Sequence, residues 1–225
     1  MIGGMSVPTR GEAAALLLSL SPAPWQLRHS RAVAEVAAWL AARTAAHGVA
    51  LDRRLVETAA LLHDADKALP VGAPERTLAH GRGSAAWLAA RGHPELAPVV
   101  ADHPVTRLAD ADWFDAWLAK ASPEALIVAY ADKRAGQHLE AIASRLADWR
   151  RRYPVTPDAG PDAAGGSGAP ATGQWTAATV AAVEGRARIL EMRVCELAGV
   201  APADVSRLAW TGRALARARR VEVRA

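Results

Sequence analysis

Apolar positions recur at helical spacing along most of the chain. Over residues 24–47, Leu27, Ala34, Val36, Trp39 and Leu40 keep that period and Gly48 supplies a stop, which predicts one long helix. Asp52 then precedes a second series, Leu55, Val56, Ala59 and Leu62, that runs into His63. Residues 68–75, broken by Pro70, Gly72 and Pro74, read as a loop. Short helices are expected over 83–91, closed by Gly92, and over 94–103, closed by Pro104. Residues 110–120 form a Trp-bearing helix in this reading, and Ser122-Pro123-Glu124 has the cap and first-turn proline of another helix start. That last helix is predicted to continue to about Arg151, where Pro154 ends it. Beyond a stretch without large apolar side chains, residues 175–197 and 202–220 read as two further, arginine-rich helices.

Composition sharpens the fold class. About a quarter of the chain is alanine, whereas Phe114, Tyr130 and Tyr153 are the only Phe and Tyr residues. Good helix formers dominate and aromatic strand formers are scarce, so the expected class is all-α. Three segments follow: a helical domain over 10–153, a flexible linker over 154–174 made almost entirely of Pro, Gly, Ala, Asp, Ser and Thr, and an Arg-rich helical extension over 175–225. The apolar stretch 13–20 is too short to span a bilayer, and no longer one occurs, so no membrane association is expected. The start of the chain lacks the basic residues and apolar core of a signal peptide. Cys195 is the only cysteine, which excludes an internal disulfide and makes the reducing cytoplasm the expected location. A net charge of +4 is too small to be read as a nucleic-acid footprint.

The chemistry concentrates in Ala59-Ala60-Leu61-Leu62-His63-Asp64-Ala65-Asp66-Lys67, where an apolar helix face ends in His, Asp, Asp and Lys. A buried His-Asp pair is costly without a partner, and a metal ion would satisfy both groups. Mixed imidazole and carboxylate donors suit Zn, Mn, Fe or Co. Further ligands are expected at other apolar-to-polar switches: His29 near the start of the first long helix, and Asp132 after Leu126-Ile127-Val128-Ala129-Tyr130-Ala131. His80 and His103 lie between them in the chain.

This order, His29, then His63-Asp64, then His80, His103 and Asp132, with Lys67 in a His-Asp-x-x-Lys setting, resembles the HD superfamily of metal-dependent phosphohydrolases over about residues 24–151. The resemblance implies an HD-type helical bundle in which His29, His63, Asp64 and Asp132 bind one divalent ion, with Mg added to the candidate metals. His80 and His103, with Asp64 bridging, complete a second site in two-metal members. It implies cleavage of a phosphoester or phosphoanhydride by metal-bound hydroxide, with Asp64 and Lys67 in catalytic roles and a nucleotide as substrate. The stretch from His63 to Pro70, and His80-Gly81-Arg82-Gly83-Ser84-Ala85, are similar to the branch that hydrolyses dinucleoside polyphosphates. His103-Pro104-Val105 and Asp132-Lys133-Arg134 depart from that branch.

Lysine occurs only as Lys67, Lys120 and Lys133, and two of these stand beside proposed acidic ligands. Lys67, Lys133 and Arg134 are therefore the candidates for phosphate binding. His47, before Gly48, reads as a cationic helix cap, and His138 falls on a turn facing away from Asp132 if the helix continues. Rival readings are a non-catalytic HD module that senses a nucleotide, a nucleic-acid-associated protein using arginines between 207 and 224, and a dioxygen-activating di-iron enzyme. The extension also carries Leu208, Trp210, Leu215 and Val221, which suits packing on the main domain or in a homodimer better than nucleic-acid contact.

Overall fold

A computed structural model describes residues 7–153 and 175–222. The described residues are all-α: α1 (Arg10–Ser19), α2 (Pro24–Ala46), α3 (Arg53–Leu62), α4 (Arg82–Ala90), α5 (Ala97–Val100), α6 (Ala111–Lys120), α7 (Pro123–Arg134), α8 (Ile142–Arg152), α9 (Ala177–Ala198) and α10 (Thr211–Glu222). None of these helices is long and apolar enough to cross a membrane. The linker expected over 154–174 lies outside the described residues.

Local chemistry sets the helix starts. Asp52 accepts from the backbone N–H groups of Arg54 and Leu55 to cap α3, and Ser122 accepts from Ala125 to cap α7, with Pro123 in its first turn. Helix α1 has a full capping box, since Thr9 caps Glu12 N–H while the Glu12 carboxylate accepts from Thr9 N–H at 2.7 Å. The apolar stretch 13–20 thus lies in a surface helix that buries one face, with Ala13, Ala14 and Leu17 inside.

Helices α2, α3 and α7 pack against one another at the centre. Helix α9 lies on α7 and α2, and α10 pairs with α1, so residues 175–222 share one continuous apolar core with residues 7–153. Val183, Ala187, Leu190 and Val194 form the inward stripe of α9.

Three predicted helices differ from the structure. The helix from Ser122 ends at Arg134, and α8 begins only at Ile142. In between, Ala135 is extended (φ −129°, ψ 126°), Gly136 N–H donates to His138 O, and Glu140 N–H donates back to Arg134 O at 2.7 Å. Arg134 Nε also donates to Glu140 O, so a compact loop satisfies the groups that a continuous helix would have paired. Residues 94–103 form a 3₁₀ turn followed by the short α5, ending before His103. Residues 202–220 are not one helix: after a 3₁₀ turn at Pro202–Asp204 the chain runs irregularly to α10. The fully buried Glu35 of α2 holds that segment through Arg207 at 3.3 Å and the Thr211 hydroxyl, while its backbone carbonyl accepts from Leu208 N–H.

Candidate metal centre

The first turns of α2 bring His29 inward, the end of α3 delivers His63 and Asp64, the turn after α5 delivers His103, and the last turn of α7 delivers Asp132. Three imidazoles share one device. His29 Nδ1 lies 2.7 Å from Gly136 O, His63 Nδ1 lies 2.8 Å from Ala60 O, and His103 Nδ1 lies 2.6 Å from Val100 O. A carbonyl only accepts, so each Nδ1 carries a proton and each ring presents its Nε2 inward as the potential ligand atom. Those Nε2 atoms face carboxylate oxygens, with His29 3.4 Å from Asp64 and 3.3 Å from Asp132, and His103 3.4 Å from Asp64. His63 Nε2 stands 3.5 Å from Asp64, 3.7 Å from Asp132 and 3.2 Å from His29 Nε2.

Lone pairs facing lone pairs in a buried site repel unless a cation lies between them. Asp64 Oδ1 and His103 Nε2 are buried without a hydrogen-bond partner among the described residues. Three ligand groups among the described residues could hold an ion here: His29, His63 and Asp132; His63, Asp64 and His103; and Asp64, Asp66 and His80. The donor set suits a divalent cation.

His80 is held differently. Its Nδ1 lies 2.9 Å from Asp66 Oδ2 and its Nε2 3.2 Å from Asp64 Oδ1. Burial works against a charged ring, but the facing carboxylates of Asp64 and Asp66 outweigh it and raise its pKa to about 9. For His103 burial dominates over the pull of the nearby Asp64 carboxylate, and its pKa falls to about 4. Burial also opposes charge on His29, yet Asp132 and then Asp64 raise its pKa. Asp64 is held well below the usual carboxylate range, since its own burial is outweighed by His63, His103, His80 and Lys67. Asp132 is held likewise, chiefly by Lys133 against its burial.

The predicted phosphate binders separate. Lys67 stands at the mouth, with Nζ 2.8 Å from Asp64 Oδ2, and lines an open cleft of about 700 Å³ above the cluster. Lys133 is only 1% exposed; it donates to the backbone carbonyl of His103 and lies 3.4 Å from Asp132, so it braces two ligands from behind. Burial lowers its pKa, against the pull of Asp132. Arg134 points the other way. It donates to Tyr130 Oη at 2.6 Å, to Pro202 O at 3.1 Å and to Glu140 O at 2.8 Å, and pairs with Glu191 at 3.4 Å. It staples α7 to α9 and does not line the cleft.

Sequence reasoning missed several contributors. Asp66 orients His80 and also accepts from Gly81 N–H at 2.9 Å; its signal was a second acid two residues after Asp64. Gln26, buried in α2, donates to the backbone carbonyl of Asp64 at 2.9 Å. His138 lines the cleft because the helix breaks before it. His47 Nδ1 caps the Leu197 carbonyl of α9 at 3.1 Å and not its own helix.

Residues 27–137, which span the elements carrying His29, His63-Asp64, His80, His103 and Asp132, match the family model of the HD domain. The chain belongs to the HD domain family through this segment, and that family lies within the superfamily of metal-dependent phosphohydrolases. Comparison with curated proteins and with solved structures gives no match.

Proposed function

We propose that the chain is a metal-dependent phosphohydrolase that cleaves a phosphoester or phosphoanhydride bond of a nucleotide or dinucleoside polyphosphate. One observation carries this reading: three imidazoles, each fixed by a backbone carbonyl, aim Nε2 at Asp64 or Asp132 at the floor of an open cleft. His29, His63, Asp64 and Asp132 would hold one divalent ion, with His103 and His80 beside Asp64 available for a second. Such an ion would lower the pKa of water from 15.7 towards ~7 and draw charge from the phosphoryl oxygens.

The chain's own groups supply the rest. Asp64 has two oxygens, so one can bind while the other orients water on the cleft side. Lys67, already within reach of Asp64 Oδ2, can turn its ammonium to a phosphate oxygen. Lys133 keeps Asp132 and the His103 backbone in register. We assign the chemistry to residues 10–153, with α9 packed behind α7 and α10 against α1 as supports.

The test is metal analysis of purified protein, then a phosphate-release screen over nucleotides with Mn, Co, Fe, Mg and Zn added back in turn. Stoichiometric metal with release that stops on chelation supports the reading. Absence of metal uptake under every condition refutes it.

A further inference from the structure

The cleft extends well past the His/Asp cluster, and its outer wall is built by α8. Arg145, Asp148 and Arg152 follow one another at helical spacing and all line the cleft. Arg145 is unusual among them. It is 7% exposed, and its Nε is buried with no hydrogen-bond partner among the described residues. A buried guanidinium ordinarily has its donors satisfied. Here Nη1 has a single long contact, 3.4 Å from Asp148 Oδ2. Asp148 is itself shared with Arg151, and Glu140, the other carboxylate on this wall, lies 3.9 Å from His138.

Position ties Arg145 to the cluster. Its Nη1 lies 3.3 Å from where a side chain on Gly136 would begin, and the carbonyl of that glycine fixes His29. The same point lies against the Glu140 carboxylate, so Gly136, Glu140 and Arg145 meet on the wall beside His29. Arg152, exposed one to two turns further along α8, continues the positive wall outward.

We propose that Arg145, assisted by Arg152, forms an anion subsite for a second phosphate of the substrate, so that the preferred substrates are phosphoanhydrides and not simple monoesters. This deepens the phosphohydrolase reading and rests on it for the placement of the first phosphate. A planar guanidinium with free donors matches a phosphate fork, and loss of one such charged contact weakens binding by roughly tenfold.

The experiment is calorimetric titration of the metal-replete protein with tripolyphosphate and, separately, with orthophosphate, with metal content measured before and after. Tripolyphosphate is expected to bind more tightly, and Arg145→Gln to weaken it roughly tenfold while changing orthophosphate less than about twofold. Arg145→Lys should recover part of the loss. An unchanged ratio of the two affinities in Arg145→Gln overturns the subsite, as does an equal loss for both anions. If Arg145→Gln does not fold, the exposed Arg152→Gln decides: selective weakening of tripolyphosphate supports the subsite, and no change overturns it. Arg145-dependent tripolyphosphate binding in a protein that releases no phosphate from any nucleotide would leave the subsite standing and remove the hydrolase reading.

Discussion

Arg134 separates two physical roles cleanly. Next to Asp132 in sequence, it looks like a phosphate ligand; in the fold it joins α7 to α9. Replacing it with Met keeps the length of the stem and deletes four polar contacts, to Tyr130, Glu191, Pro202 and Glu140. The Glu191 carboxylate, 9% exposed, would lose its cationic partner and keep only the Tyr130 hydroxyl at 2.7 Å. Breaking a buried ion pair on one side costs about 3–5 kcal/mol, and the surviving tyrosine bond argues for the lower end. At about 3 kcal/mol, a chain of this size should lose ~6–12 °C in Tm. Thermal and urea unfolding of Arg134→Met, Tyr130→Phe and the double variant measure this, and the cycle should show coupling of about 1 kcal/mol or more, because all three groups share one network. Turnover of the folded protein, assayed well below the lowered Tm, should stay within a few-fold of wild type. An Arg134→Met protein as stable as wild type but unable to bind substrate would refute the staple.

Asp64→Asn should abolish metal-dependent phosphate release and lower metal content, because Asp64 meets His29, His63, His80 and His103 at 3.2–3.5 Å; full activity in a metal-replete variant would sink the mechanism. Lys67→Ala should slow turnover roughly 10- to 100-fold, the loss of one charged contact of ~1.4–2.7 kcal/mol in the transition state, with metal content unchanged. Loss of metal together with activity would instead make Lys67 a support of the ligands. Truncation at Pro157 should give an unstable or insoluble product, since it strips the cover of α9 from α7 and leaves Arg134 and Tyr130 without Glu191; a soluble, cooperatively folding fragment would show that the support is dispensable.

The fold class and most helix starts were legible because caps and prolines are local signals, as at Asp52 and Ser122. Helix α1 carries the same kind of signal in Thr9 and Glu12, but its apolar run is too short for its period alone to mark a helix. The ligand candidates were legible because each sits where an apolar helix face turns polar. Roles of immediate neighbours were not. Successive residues on a helix point about 100° apart, so Asp132, Lys133 and Arg134 face the cluster, its back and α9 respectively, although they adjoin in sequence. The break after Arg134 depends on tertiary bonds from Glu140 and Gly136, which no local propensity encodes, and it decides where His138 and Arg145 point.

The Gly136 carbonyl that fixes His29 has a consequence beyond tautomer choice. The same residue borders the guanidinium of Arg145 on the cleft wall. An anion that draws the 135–141 loop inward would move the acceptor on which His29 depends. Occupancy at the wall and occupancy at the cluster are then two ends of one lever. Whatever factor an anion contributes to ion affinity, the ion must return to anion affinity by thermodynamic reciprocity. Saturating the protein with tripolyphosphate should therefore change the dissociation of its metal in proportion to the change that metal makes in tripolyphosphate binding, with Gly136 as the fulcrum.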